Sequence, residues 1–231
     1  MADRNSGHKK TLELNRKIIA AKFEACAETL LAIFGISENS KVAISKIRSW
    51  KIKVLDPTQA NSQGRILGYE GMVASIYYRA WHDLPLKWTG LWKRPVPASW
   101  SKIGARSMAW RRESNNARHP INAMLNYGYA MLISQVRTEL VSAGFDPSIG
   151  FSHSSSWNPI PLVYDLMEPL RPVVDRKVLE FALAHTFSPG DFTISNRGGC
   201  RLNPQMAKSL TRHIAGLECR NSIRNFVNHL V

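Results

Sequence analysis

Between Gly144 and Asp175 the sequence gathers four side chains of the types that hold metals or move protons: His153, Asp165, Glu168 and Asp175. His153 ends an apolar turn containing Ile149 and Phe151. A Ser/Pro-rich connector then leads into the run Pro161-Leu-Val-Tyr-Asp-Leu-Met-Glu-Pro-Leu-Arg-Pro-Val-Val-Asp175, which reads as helix. Asp165 and Glu168 are three apart and share a helical face with Leu162. Carboxylates in line with an apolar stripe point inward, and an inward charge needs a cation, a metal or a dense set of hydrogen bonds. Two readings fit these residues: a buried ion pair with Arg171 beside a satisfied core histidine, or a functional cluster. Glu70 is a further inward-facing acid, three before Val73 and seven before Tyr77 on an amphipathic helix. A helix-start glutamate favoured by the macrodipole is the alternative there.

The elements that must position these groups are helical. Residues 1–10 are polar and are expected to form a flexible basic tail, with 11–231 as one helical domain. The spacing predicts a helix from about Leu12 to Phe34, with Leu14, Ile18, Ala21, Ala25 and Leu31 in its apolar rows and Gly35 as its stop. A more basic helix follows from Ser40 to Leu55. A short helix is expected to end at Gly68; Tyr69-Glu70-Gly71 follows, and then an amphipathic helix to about Leu84, with rows Met72/Ile76/Ala80/Leu84 and Val73/Tyr77/Trp81. Pro120 opens a long helix that Gly144 closes, with Asn122, Asn126, Tyr129, Ile133, Val136 and Leu140 expected on one face. Helix continues from Val173 to about Phe187. Ser188 to Asp191 forms a turn, Phe192 to Leu202 a hairpin or irregular loop, and Asn203-Pro204 starts the last helical region. Strand patterns are nearly absent, so the fold class is all-α, with one irregular insert.

That insert, Pro85 to Pro120, holds Trp88, Trp92, Trp100 and Trp110 among Lys87, Lys93, Arg94, Lys102, Arg106, Arg111, Arg112 and Arg118. Aromatics interleaved with basic residues suit stacking on bases and holding phosphates, or the tryptophans staple a loop to the core. The whole chain carries 31 Lys+Arg against 17 Asp+Glu, a formal net charge of +14 over 231 residues. Such an excess points to an anionic partner, with nucleic acid first. Cys26, Cys200 and Cys219 form no metal or disulfide pattern and read as thiols of a reducing compartment. No apolar run is long enough to span a membrane, and the first residues carry no leader, so a cytoplasmic location is expected.

Four blocks carry a resemblance. Leu67-Gly-Tyr-Glu-Gly-Met-Val-Ala74, Asn122-Ala-Met-Leu-Asn-Tyr-Gly-Tyr-Ala130, Gly144-Phe-Asp-Pro-Ser-Ile-Gly-Phe-Ser-His153 and Leu162-Val-Tyr-Asp-Leu-Met-Glu-Pro-Leu-Arg-Pro172 resemble, in order, motifs of the CRISPR-associated spacer-acquisition endonuclease (the Cas-one family). The resemblance covers the chain from about Leu12 onward. It implies a helical catalytic domain in which Glu70, His153 and Glu168 bind Mg²⁺ or Mn²⁺. Two hard carboxylates and an imidazole suit these ions. Asp165 would be an auxiliary acid, and Arg94, Arg111, Arg112, Arg118 and Arg171 would hold DNA. The implied activity is insertion of short DNA fragments into a CRISPR array by attack of a 3′-hydroxyl on a phosphodiester. The implied partners are DNA, a small Cas-two subunit and further copies of the chain. Family members carry an N-terminal β-rich domain, whereas here the helical part begins near residue 12. The expectation is therefore a compact form without that domain. Ser152 stands where the family has an apolar residue. A stand-alone nuclease, a casposase-like recombinase of mobile elements, and a non-catalytic DNA-binding descendant are the alternatives.

Overall fold

The computed structural model describes residues 2–81, 84–103, 117–152, 159–196 and 198–215, apart from the side chains of 2–6 and 8. Helices dominate, as the sequence predicts. They are α1 (Ala2–Phe34), α2 (Glu38–Leu55), α3 (Gln63–Trp81), α4 (Pro120–Ser142), α5 (Pro161–Met167), α6 (Arg171–Ala184) and α7 (Pro204–Ile214). The described residues divide into two compact units, one of 2–77 and 131–173, the other of 78–130 and 174–215.

In the first unit α1 and α2 form a helical hairpin. Gly35 stops α1 by adopting φ +60°, a left-handed conformation that costs a glycine little. Ser37 and Ser40 then cap α2 reciprocally, each side chain serving the other's backbone N–H. The hairpin buries Ile18, Ile19, Phe23, Ala27 and Leu30 of α1 with Ile47 and Val54 of α2. Helix α1 also takes in residues 2–10, which the sequence pattern leaves as a tail.

Helix α3 passes through Gly68 without a break, against the two-helix expectation. A Cβ at Gly68 or Gly71 would meet nothing, so neither glycine marks a close approach. An exposed mid-helix glycine costs only about 1 kcal/mol, which the buried row Ile66, Val73, Tyr77 and Trp81 outweighs. Helix α4 corrects its expected face at the N-terminal end. Ile121, Met124 and Leu125 are buried where Asn126 is exposed, so its first turns are as apolar inside as its last.

The second unit contains the few strands. β1 (Lys87–Trp88) pairs in parallel with β2 (Thr186–Phe187), and β3 (Phe192–Ile194) pairs antiparallel with β4 (Cys200–Leu202). Two-residue strands leave no period to read, which is why the first pair escapes the sequence. Trp88, Trp100, Phe187 and Phe192 pack as one aromatic cluster, with ring centroids 5.5–6.0 Å apart. The indole nitrogens are satisfied: Trp88 Nε1 donates to the Trp100 carbonyl at 3.1 Å and Trp100 Nε1 to the Arg118 carbonyl at 2.9 Å. These two tryptophans staple the insert. Trp92 is 82% exposed, with the Lys93 ammonium 4.7 Å from its ring centroid. Trp110 lies outside the described residues. Among the described residues no helix is long and apolar enough to cross a membrane.

Candidate metal centre

Of the acids that the sequence turns inward, Asp165 and Glu168 are buried and Glu70 is half-buried; Asp175 is buried as well. Asp165 and Asp175 are each 1% exposed and Glu168 is 8% exposed. Their described partners differ in kind.

Glu168 opens a 3-10 turn, Glu168–Leu170, between α5 and α6. Its Oε2 lies 2.5 Å from Lys22 Nζ, and its Oε1 lies 2.9 Å from Arg171 Nε. Lys22 also donates to Glu70 Oε1. One ammonium from α1 therefore joins a carboxylate of α3 to a carboxylate that follows α5. Glu70 reaches this point because it lies in the row of Ile66, Val73 and Tyr77, the face of α3 that packs inward. Burial works to lower the Lys22 pKa, but the carboxylates of Glu168 and Glu70 outweigh it and raise it above its ordinary value. Lys22 is absent from the sequence-derived set. Its signal was present: Ile18 and Cys26, four residues to either side, are 2% and 3% exposed, so Lys22 stands in a buried row.

Asp165 faces neither cation in its described contacts. Its Oδ2 accepts the backbone N–H groups of Phe151 at 2.7 Å and Ser152 at 3.1 Å. Those are the two residues immediately before His153. The loop is held close against α5: a Cβ on Gly150 would fall 2.6 Å from Pro161 Cβ and 3.0 Å from Asp165 Oδ2. At its other end the Leu162 N–H donates to the Pro147 carbonyl at 3.1 Å. Asp175, in the second unit, accepts the hydroxyl of Tyr129. It serves a buried hydrogen bond there.

His153 lies outside the described residues, as do Arg111 and Arg112. Among the described residues no three His, Cys, Asp or Glu side chains stand together as a metal-ligating group. The two expected carboxylates nonetheless converge on one cation, and their hard oxygens are the donor type that Mg²⁺ or Mn²⁺ takes. That donor set fits a divalent ion. Of the basic residues expected to hold DNA, Arg94 and Arg118 are exposed, while Arg171 is half-buried beside Glu168. The Gly198–Gly199 pair spends its N–H groups inside the β3–β4 hairpin, on Ser195 O and Ser195 Oγ, and so forms a tight turn.

The chain as a whole has counterparts in known proteins. The chain belongs to the family described as CRISPR associated protein Cas1, which it matches over residues 2–215. It is 30% identical over 219 residues to CRISPR-associated endonuclease Cas1 1 of Methanospirillum hungatei, covering 85% of this chain and 61% of that one. It is 32% identical over 179 residues to the endonuclease Cas1 1 of Francisella tularensis subsp. novicida, covering 77% of this chain and 49% of that one. The chain thus spans less than two thirds of the length of these relatives. Among solved structures it resembles a casposase bound to integration product, with TM-score 0.69 and 26% identity over 90% of this chain and 55% of that one. It shares its fold with a Cas1 protein from Thermotoga maritima, at TM-score 0.71 and 18% identity over 96% of this chain and 64% of that one. A partial Cas6-RT-Cas1–Cas2 complex gives TM-score 0.71 at 21% identity over 89% of this chain and 57% of that one.

Proposed function

We propose that residues 11–231 form the catalytic domain of a divalent-metal-dependent DNA integrase and endonuclease that inserts short DNA fragments into a CRISPR array. The observation that carries this reading is the meeting of Glu70 and Glu168, from distant parts of the chain, on a single cation. Hard carboxylate oxygens brought together on one replaceable side-chain cation, in a protein of net charge +14 suited to DNA, are the donor type a divalent ion takes. Glu70, Glu168 and His153 are the ligands in this reading. Mg²⁺ or Mn²⁺ bound there would neutralise the phosphate under attack and stabilise the leaving oxygen.

The chain's own residues do the rest. Asp165 fixes the backbone of Phe151 and Ser152 and so sets where the loop delivers His153. Arg171 holds the second oxygen of Glu168 and orients the carboxylate. Exposed Arg94 and Arg118, with Arg111 and Arg112, hold the DNA backbone, and exposed Trp92 offers a face for a base. In strand transfer the 3′-hydroxyl of the incoming fragment loses a proton as its oxygen bonds to phosphorus. The target strand's P–O3′ bond breaks, and that 3′-oxygen gains a proton. One phosphodiester is exchanged for another, so positioning and charge stabilisation suffice and no covalent protein intermediate is needed.

The partners in this reading are a short DNA duplex, a repeat target, further copies of the chain and a small Cas2 subunit, in a cytoplasmic setting. The likeness to a Cas6-RT-Cas1–Cas2 assembly and the absence of a membrane-crossing helix among the described residues support it. The likeness to a casposase supports a second reading, the same chemistry in a mobile element. A repeat array beside the gene favours the first and inverted terminal repeats favour the second.

The test is a strand-transfer assay with a labelled duplex and a supercoiled plasmid carrying a candidate repeat, with the partner subunit added and omitted. Joining is expected only with Mn²⁺ or Mg²⁺. Glu70→Ala, His153→Ala and Glu168→Ala should each abolish it while DNA binding persists and falls steeply with salt. Joining that survives all three substitutions refutes the assignment.

A further inference from the structure

We propose that Lys22 is a resident cation of the acid pair: it holds Glu70 and Glu168 together in the metal-free protein, and a divalent ion must displace its ammonium to bind. The inference rests on the metal-site reading above and concerns a residue that reading does not use.

Three features carry it. First, Lys22 is placed, not incidental. It stands in the row of Ile18 and Cys26, which turns its stem into the first unit, and only about a sixth of the side chain is exposed, 16%. Second, it takes the oxygens a shared metal would need. Lys22 Nζ contacts Glu70 Oε1 and Glu168 Oε2, one from each acid, whereas Arg171 contacts the other oxygen of Glu168 and does not contact Glu70. An ion bridging the two glutamates therefore competes with Lys22 and leaves Arg171 in place. Third, among the described contacts each carboxylate already has a cation without a metal. Two carboxylates face one ammonium and one guanidinium. Adding a divalent ion while both organic cations stay would leave a net positive cluster in a part-buried site, where like charges repel strongly. Loss of the ammonium from the pair relieves this.

The device solves a physical problem. Two carboxylates held together in a part-buried site with no counter-ion repel each other and spring apart, and the ligand geometry is lost between turnovers. A tethered ammonium keeps them convergent. It binds without the coordination demands of a metal, so it can be replaced by one.

The test compares Mn²⁺ binding by calorimetry and melting temperature, without and with saturating Mn²⁺, in the wild type, Lys22→Gln, Lys22→Arg and Glu70→Gln. Lys22→Gln should bind Mn²⁺ about tenfold or more tightly than wild type, the scale on which one nearby charge moves a binding equilibrium. It should melt lower than wild type without metal and recover most of that loss with Mn²⁺. Lys22→Arg should bind Mn²⁺ more weakly than wild type, because the guanidinium fork grips carboxylates with two N–H groups. A purely structural lysine gives a different pattern: Lys22→Gln melts lower by the same amount with and without Mn²⁺ and its Mn²⁺ affinity is unchanged. That result overturns the proposal while the metal site stands, as does unchanged or tighter binding by Lys22→Arg. If wild type and both Lys22 variants bind no more Mn²⁺ than Glu70→Gln, the metal site itself falls and the proposal with it. Should Lys22→Gln fail to fold, the Lys22→Arg comparison decides.

Discussion

Replacing Asp165 by alanine tests whether this acid acts by holding the loop that precedes His153. Its carboxylate accepts two backbone N–H groups, from Phe151 at 2.7 Å and Ser152 at 3.1 Å. Hydrogen bonds to a charged acceptor contribute about 1.5–3 kcal/mol each, so the pair amounts to roughly 3–6 kcal/mol before compensation. Two effects offset part of this. Phe151 and Ser152 are half-buried, so water can reach their freed N–H groups. Removing a 1%-exposed carboxylate also removes its own desolvation cost. The expected net loss for Asp165→Ala is about 2–3 kcal/mol, read as a lower urea midpoint at unchanged slope. Asp165→Asn keeps the shape and an acceptor oxygen but makes both bonds neutral, at about 1 kcal/mol each, so it should lose about half as much. The loop is tied independently at Pro147 by the Leu162 N–H. Loosening should therefore concentrate at Gly150–Ser152, where limited proteolysis should cut Asp165→Ala faster than wild type by tenfold or more, the ratio corresponding to about 1.4 kcal/mol of easier local opening. If Asp165→Ala unfolds at the wild-type midpoint and its loop is cut no faster, the carboxylate does not hold the loop, and its role must be sought at the metal.

Two further predictions concern the second unit. Half-buried His119 supports the start of α4: its Nδ1 accepts the Ile121 N–H at 3.2 Å, and its Nε2 lies 2.9 Å from the Lys102 carbonyl. Burial holds its pKa below the ordinary value of 6.5, against the raising effect of that carbonyl. The unfolded chain thus binds the proton first, so the stability His119 contributes is present above pH 6.5 and lost as pH falls from there toward the lower folded value. Melting temperature should drop through that window in wild type and less so in His119→Gln; parallel profiles would refute it. Tyr129→Phe removes a hydroxyl from the buried carboxylate of Asp175 and should cost about 1.5–3 kcal/mol in urea unfolding. Asp175→Asn in the same chain should recover part of that cost, since a neutral amide is cheaper to leave short of a partner, and a double-mutant cycle without coupling would count against the pairing.

The sequence made the direction of the acids legible, but not their partners. Glu70, Asp165, Glu168 and Asp175 all fall in apolar rows, and a helical row turns whatever it carries toward the core. Gly68 misled because a glycine weighs as a breaker in a short window, while α3 is decided by its whole buried face. The short parallel pair β1–β2 has no periodic signal at all. Partners come from tertiary packing between segments far apart in the chain, as α1 brings Lys22 to Glu70 and Glu168. Their chemistry is what sorts the acids. In their described contacts Asp165 is bonded to backbone N–H groups and Asp175 to a phenol, neutral donors fixed in the fold. Glu70 and Glu168 are bonded to a side-chain ammonium, which another cation can replace without disturbing the backbone. A buried carboxylate answered by neutral, fixed donors is part of the scaffold; one answered by a mobile cation can exchange it. That criterion agrees with the proposal that Glu70 and Glu168 take up the metal, while Asp165 holds the backbone of Phe151 and Ser152.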